Sequence, residues 1–154
     1  MIMKTAIVLA SIAGLLSSQA SAQVLGVQVK NGDVYVQQPQ GWGRLTRDGR
    51  ATDVTKSRDG SLIAYIHSDG GQDSDTMNSI SLCVVAARSC KIIVAPKSAN
   101  TPEENLTGAT SPRFSYQASA GSNGNIVGSI FFMTSAWATS GAIHRATLGP
   151  KGPS

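Results

Sequence analysis

Residues 79–94, SISLCVVAARSCKIIV, give the clearest indication of the fold class. Two apolar runs rich in β-branched residues flank a short segment, which is the pattern of two strands joined by a tight turn. If the chain folds back between Ala86 and Ala87, Cys83 lies directly opposite Cys90. Opposed residues of antiparallel strands have Cβ atoms about 4.5–5.5 Å apart, close to the separation that a disulfide needs. The stretch therefore predicts a β-hairpin closed by a Cys83–Cys90 disulfide, which contributes about 2.5 kcal/mol in the chain-entropy model.

The amino-terminal 22 residues have the pattern of a secretory signal peptide. Lys4 supplies a positive charge, residues 6–16 form an apolar run, and Ala20-Ser21-Ala22 has the form of a cleavage site. The apolar run is too short to span a bilayer, although an N-terminal membrane anchor is the alternative interpretation. We expect a mature chain that begins at Gln23 and is periplasmic or secreted, where disulfides persist. A metal-binding or redox role for the cysteines is the weaker alternative, because no histidine lies near them.

Asn31-Gly32 marks a second hairpin, between the valine-rich runs 27–29 and 34–36. An Asn-Gly pair suits a type I′ turn, which needs a positive φ at both central residues. The resulting register places the valines of the two runs on one apolar face. It also places Lys30 opposite Asp33, and we expect these two side chains to pair by opposite charge.

Further strands follow along the chain. Residues 62–67 alternate between two largely apolar sets, so we expect this strand to be covered on both faces. Residues 125–134 repeat the pattern of a buried central strand, whereas residues 141–148 predict a more exposed one. No stretch after the leader shows a sustained apolar period of about 3.6 residues, which a helix would need. We therefore predict an all-β domain over residues 23–148, followed by a disordered tail over residues 149–154.

Two segments of the chain share an order of short motifs, which indicates an internal repeat. The first segment contains Leu45-Thr46, a turn at Ser57-Arg58-Asp59-Gly60, Ile63-Ala64-Tyr65 and the apolar residues 80–85; the second keeps Leu106-Thr107 and Phe114-Ser115. This order resembles the repeat of the TolB-like β-propeller family, whose blades combine a Leu-Thr pair, a Ser-Pro-Asp-Gly turn and two such strands. Arg58 stands where the family has a proline, and the second segment lacks the Asp-Gly turn.

The resemblance covers roughly residues 34–148 and implies two to three antiparallel, propeller-blade-like sheets. A small β-sandwich is the alternative architecture. Closed propellers have typically four to eight blades, so a chain of this length leaves edge strands through which copies could form a homo-oligomer. The resemblance also implies a protein-interaction scaffold in the periplasm, with an envelope or secreted protein as its partner, rather than an enzyme.

Composition and sequence motifs argue against several classes of function. Only 14% of the residues are charged and the net charge is +4, which is too weak for a dedicated nucleic-acid binder. The sequence places neither of its two histidines, His67 and His144, beside a nucleophile. It also contains no motif of a serine hydrolase, a P-loop protein or a zinc protease. We therefore expect no enzyme and no cofactor, with a small secreted enzyme or an inhibitor of one as the alternative.

The predicted binding surface consists of an aromatic residue and the basic residues that follow it. Trp42 lies between two glycines in a turn-like setting, and the basic residues are Arg44, Arg47, Arg50 and Arg58. Tryptophan and arginine are enriched among the residues that carry binding energy at protein interfaces. Acidic residues interleave with this set, so an ordinary mixed surface is the competing interpretation. A glycan or anionic-headgroup binder that uses Trp42 and Trp137 is a further alternative.

Asp69, Asp73 and Asp75 form a loose acidic cluster and are a weak candidate for Ca²⁺, which prefers carboxylate oxygens. Their spacing is not that of an EF-hand, so a solvated loop is the simpler interpretation. No other metal site is predicted. No segment after the leader is long and apolar enough to span a bilayer, so we expect no membrane span in the mature chain.

Overall fold

The computed structural model describes residues 24–69, 77–102, 104–137 and 140–149. Within these ranges the chain forms eleven strands: β1 (Gly26–Lys30), β2 (Asp33–Gln38), β3 (Gly41–Arg44), β4 (Ala51–Lys56), β5 (Leu62–His67), β6 (Ser79–Val84), β7 (Ser89–Val94), β8 (Thr110–Phe114), β9 (Ser119–Ala120), β10 (Ile126–Trp137) and β11 (Ser140–Leu148). The all-β prediction is confirmed, and the described ranges include no helix that could cross a membrane. The predicted signal peptide lies outside the described residues, as does the tail after Gly149.

The strands form three antiparallel sheets that follow one another along the chain. Sheet A has the order β1-β2-β3 and sheet B the order β4-β5-β6-β7. Sheet C has the order β11-β10-β8, and the short strand β9 also pairs with β10. Each sheet is built from a contiguous part of the chain, so most strand pairs join neighbours in sequence.

Both predicted hairpins have the expected register. Val29 pairs with Val34 in sheet A, and the central turn residues Asn31 and Gly32 have φ values of 52° and 74°. Cys83 pairs with Cys90 in sheet B, and the two residues form the predicted disulfide. Turn chemistry at Asn31-Gly32 therefore defined the first register, and the spacing of Cys83 and Cys90 defined the second.

The expected charge pair between Lys30 and Asp33 is wrong. The Asp33 carboxylate forms an ion pair with the guanidinium of Arg44 on β3 instead. It also accepts hydrogen bonds from the Gly49 N–H (3.2 Å) and the Thr46 hydroxyl (3.5 Å). Asp33 is buried beneath the loop that joins sheets A and B. A buried carboxylate needs partners that surround it. Arg44, Thr46 and Gly49 supply them, whereas the opposed Lys30 stays exposed at the hairpin end.

Sheet B is the middle layer of the fold and separates two apolar cores. The predicted two-sided burial of β5 is confirmed, because its residues alternate between those cores. The core between sheets A and B contains Val34, Val36, Ala51, Ile63, Tyr65, Cys83 and Val85 among others. The core between sheets B and C contains Leu62, Ala64, Ile66, Ile80, Leu82, Ile130, Phe132 and Leu148 among others.

Strand β10 is central in sheet C, as predicted, but only one of its faces is buried. Ile130, Phe132 and Thr134 point into the core, whereas Phe131 and Met133 are exposed. The predicted burial of this strand therefore applies to one face only. Sheet C is a terminal layer, and among the described residues no strand packs on its outer face. The apolar sequence of residues 125–134 does not indicate which face of the strand is covered.

The turn before β5 is held by hydrogen bonds to Asp59. Its carboxylate accepts hydrogen bonds from the Ser57 hydroxyl (2.6 Å), the Ser61 N–H (3.1 Å) and the Ser61 hydroxyl (2.7 Å). Burial by itself raises the pKa of Asp59, but the hydrogen bonds from Ser57 and Ser61 outweigh it and lower the pKa. These bonds favour the ionised form, so Asp59 stabilises the turn most when it is charged.

We predict that Asp59→Asn reduces the dependence of folding stability on pH. A carboxyl whose pKa is lower in the folded state stabilises the protein above its unfolded pKa, about 3.9, and this contribution disappears as the pH falls through the lower folded value. Urea unfolding at neutral pH should show the variant less stable by well under about 1 kcal/mol, because solvent screens this exposed turn. The difference should vanish in strong acid. Parallel pH profiles of the two proteins would contradict the assignment.

Candidate binding site

A groove opens between sheets A and B, beside strand β7. We call it groove AB. Its volume is about 460 Å³. One wall is the loop segment 45–48 after β3, the floor comes from β5 and β6, and the other wall is formed by Arg88 and β7. The groove exists because sheet A packs mainly over the β4 side of sheet B and contributes no core residue next to β7.

A second, smaller groove lies on the opposite face of sheet B, between sheets B and C. We call it groove BC. Its volume is about 250 Å³, and its lining is mainly apolar. Leu82 and Val84 of β6 form one side and Ile126 of β10 another, while Lys91 of β7 belongs to the lining of both grooves. Strand β7 therefore runs between two grooves, one on each face of its sheet.

Strand β7 is an edge strand. It pairs with β6 on one side, and within the described ranges no other strand pairs with it. Its first four residues are exposed, and Ile92 retains 55% of its accessible surface. An edge strand presents a row of unpaired N–H and C=O groups, which is a template for an added strand. Successive side chains of such an added strand would point alternately toward groove AB and groove BC.

The charges around groove AB are mainly positive. Arg47 and Arg88 line it, Lys91 borders it, and Asp48 is the one carboxylate in its lining. Of the residues that the structure describes, none places a carboxylate within 4.0 Å of these three cations. Arg88 also donates a hydrogen bond to the Arg44 carbonyl (3.1 Å), which joins the β6–β7 turn to sheet A.

Tyr65 forms part of the floor of groove AB. Its side chain is buried, and burial raises the pKa of the phenol. A hydrogen bond with Ser81 acts in the opposite direction, and the negative charge of Asp48 adds to the increase. The phenol therefore stays neutral at physiological pH and keeps its hydrogen-bonding hydroxyl.

His67 lies between two carboxylates, which the sequence did not predict. Its Nδ1 is 3.2 Å from Asp48 Oδ2, and its Nε2 is 3.4 Å from Asp69 Oδ1. A histidine that acts as a general base needs a ring nitrogen that can reach a substrate proton. Both nitrogens face carboxylates here, so the arrangement links the loop at Asp48 to the end of β5. His144 is remote from this cluster in sequence and contacts the Thr134 hydroxyl (2.8 Å) and the Phe132 ring.

The structure distributes the five residues of the predicted binding surface over several places. Arg47 lines groove AB, and Arg50 lies 3.8 Å from Asp69. Arg44 is held by Asp33, and Arg58 stacks over the Tyr116 ring at 4.2 Å. Trp42 lies on strand β3 rather than in a turn, because Gly41 and Gly43 pair with β2.

The weak Ca²⁺ candidate is only partly described. Asp69 contacts His67 and Arg50, whereas Asp73 and Asp75 lie outside the described residues. Within the described ranges, no group of three or more His, Cys, Asp or Glu side chains could hold a metal ion. The backbone of Trp137 is paired in β10, but its side chain lies outside the described part.

Sequence reasoning missed Tyr65, Arg88, Lys91 and Ile92 as groove residues. Tyr65 could have been found, because its alternation with Leu62, Ala64 and Ile66 places it on the face opposite those residues. No sequence pattern identifies the residues of β7 as groove residues, because the exposure of that strand depends on how sheets A and C pack on sheet B. Comparison of the chain with protein-family models, with curated proteins and with solved structures finds no match.

Proposed function

We propose that this chain is an exported, non-enzymatic binding module that captures an extended segment of an envelope or secreted protein. The segment adds to the free edge of β7. The observation that carries the proposal is the position of this exposed edge strand between two grooves. In strand addition, main-chain hydrogen bonds supply affinity and pockets for alternate side chains supply specificity.

The chemistry of the two grooves specifies the partner segment. Groove AB has Arg47 and Arg88 in its lining, so it suits carboxylate side chains. Groove BC is lined by Leu82, Val84 and Ile126, so it suits apolar side chains. The preferred segment therefore alternates acidic and apolar residues, with each kind on one face of the added strand.

A relationship to the TolB-like propeller repeat is part of this proposal. The meander β4-β5-β6-β7 has the strand order of a four-stranded blade. The turn at residues 57–60 and the strands at residues 63–65 and 80–85, on which the resemblance rests, all lie in this sheet or in its connections. Export to the periplasm or beyond belongs to the same proposal and is supported by the leader pattern and the disulfide.

The alternative of a secreted enzyme has less support from the site. Both ring nitrogens of His67 face carboxylates, and in the described part no hydroxyl or thiol hydrogen-bonds to that ring. A hydrolase of the nucleophilic type needs its nucleophile within hydrogen-bond reach of the base. The hydroxyl of Thr134 contacts His144, but this pair lies outside the lining of both grooves. We therefore assign the groove to recognition.

The proposal predicts selective binding of a synthetic peptide of alternating glutamate and valine, matched in length to β7. Arg47→Glu should weaken this binding about tenfold, because it places a carboxylate against the peptide's carboxylates. Arg145→Glu is the matched control, since it makes the same charge change on an exposed position of β11. Isothermal calorimetry on the wild type and both variants measures the effect.

A second pair of peptides tests the main-chain contribution. N-methylation of alternate amides on the edge that faces β7 removes hydrogen-bond donors and should abolish binding, whereas methylation of the other set should not. A peptide of alternating lysine and valine should bind far more weakly than the glutamate peptide. Equal affinity for all of these peptides would contradict strand addition at β7.

A further inference from the structure

The outer face of sheet A carries a flat aromatic surface that is separate from the grooves beside β7. Alternate residues of the three strands share this face, and the register places Gln37 of β2 between Gly26 of β1 and Trp42 of β3. In the same way, Tyr35 lies between Gln28 and Arg44. We call Trp42, Gln37, Gln28 and Tyr35 the Trp42 platform.

The indole of Trp42 lies along the sheet rather than standing away from it. A Cβ added to Gly26 would be 3.5 Å from Cη2 of the indole and 3.0 Å from the Gln37 amide oxygen. Strands β3 and β1 are two strand spacings apart, roughly 9–10 Å. The ring can reach Gly26 only by extending across β2. One face of the ring therefore covers the sheet, and the other is open, with 48% of the residue's surface exposed.

Glycine at position 26 leaves room for the indole beside β1. A methyl group there would be in ordinary van der Waals contact with the outer edge of the ring, so a larger, branched side chain is needed to compete with the indole for this space. The φ of Gly26 is not in the left-handed region, so the backbone itself does not require glycine. The absence of a bulky side chain at position 26 therefore leaves the indole free to lie along the sheet.

The Trp42 platform is bordered by neutral hydrogen-bonding groups. Two cations share this face. Lys30 lies at the turn end of β1, beyond Gln28, and the guanidinium of Arg44 is held by the Asp33 carboxylate and by the Thr46 carbonyl (3.0 Å). Asp33 is itself buried. The groups that remain beside the open ring face are the amides of Gln28 and Gln37 and the phenol of Tyr35.

We propose that the Trp42 platform binds a neutral oligosaccharide. The C–H face of a pyranose ring is flat and apolar, and it fits an open indole face, while the sugar hydroxyls match amides that both donate and accept hydrogen bonds. An aromatic hot spot for a protein partner would typically fill a pocket that excludes water. The platform is a shallow surface without charge at its centre, which favours a sugar ring over an anionic headgroup. This site is independent of the proposed strand addition at β7.

Intrinsic fluorescence of a Trp137→Phe variant, in which Trp42 is the only tryptophan, tests the proposal. Titration with a panel of cellohexaose, maltohexaose and N-acetylated chitohexaose should give a saturable change with at least one of them, insensitive to salt because no charge pair forms. Trp42→Ala, in the otherwise native chain and measured by calorimetry, should abolish this binding. Gly26→Val should lower the affinity about tenfold or more while the tryptophan is retained, because the indole is displaced from the sheet.

Further variants distinguish binding of a sugar at the Trp42 platform from binding of another ligand or at another surface. Gln28→Ala should weaken the sugar binding less than Gly26→Val does, and Ile143→Ala on the outer face of sheet C should leave it unchanged. Absence of binding to every oligosaccharide of the panel would overturn the proposal. Binding that survives Trp42→Ala, or that disappears as the salt concentration rises, would also overturn it. None of these results bears on the peptide binding proposed for β7.

Discussion

Gly32→Ala is expected to lower the free energy of unfolding by about 3 kcal/mol or more. Gly32 has a φ of 74°, and a Cβ at this position would be 2.0 Å from the carbonyl oxygen of Gly49. The obstacle is backbone, so no side-chain rotation can relieve it. The β1–β2 hairpin would have to move away from the loop that leads into β4. That movement would break the hydrogen bond from the Ala51 N–H to the Gly32 carbonyl (2.7 Å).

Gly124→Ala is the matched control for Gly32→Ala, because it measures the strain of an alanine with a positive φ where there is no steric clash. Gly124 has a comparable φ of 79°, but no atom lies within 4 Å of the position that a Cβ would take. Its replacement should cost about 1 kcal/mol, the ordinary penalty for a left-handed alanine. Urea unfolding of the wild type and both variants measures the difference. Equal destabilisation by the two substitutions would mean that the hairpin and the Gly49 loop do not pack together as described.

Ile130→Ala is expected to destabilise the protein by about 3 kcal/mol. Ile130 lies in the middle of β10, is fully buried, and belongs to the core between sheets B and C. Truncation removes buried apolar surface and leaves a cavity, because Leu82 and Phe132 are fixed by their own strands. The unfolding midpoint in urea should fall without a change in the slope, since the fold itself is retained.

Ile143→Ala is the matched control for Ile130→Ala. It makes the same chemical change on the neighbouring strand β11, but Ile143 is 76% exposed on the outer face of sheet C. Its loss should alter the stability by no more than about 0.5 kcal/mol. A large effect of Ile143→Ala would indicate that the outer face of sheet C is covered in solution, for example by a second copy of the chain.

The two proposed sites use different properties of the same layered arrangement. The site at β7 depends on an edge strand with a groove on each face of its sheet. The Trp42 platform depends on a terminal sheet face that nothing among the described residues covers. A single module with both sites could hold a protein segment and a neutral glycan at once. The peptide and oligosaccharide titrations above test these two activities separately.

The binding residues were predicted less well than the strands. The sequence singled out a run of arginines after Trp42 because they are close together along the chain. In the folded protein, Arg44 neutralises a buried aspartate, and Arg58 covers the Tyr116 ring. The positions of Asp33 and Tyr116 decide those roles. Asp33 lies on the strand next to Arg44, whereas Tyr116 is far from Arg58 in sequence. Arg47 alone of this set was placed in the lining of a groove.

The all-β class, the two hairpin registers and the disulfide could be predicted from the order of the residues. These features depend on a period of two residues, on turn residues such as Asn31-Gly32, and on the spacing of Cys83 and Cys90. The covered faces, the unpaired edge and the ion pairs became known only from the packing of the three sheets. Alternation of apolar and polar residues indicates which residues share a face of a strand. It does not indicate which sheet covers that face, because sheet packing depends on contacts between residues far apart in the chain.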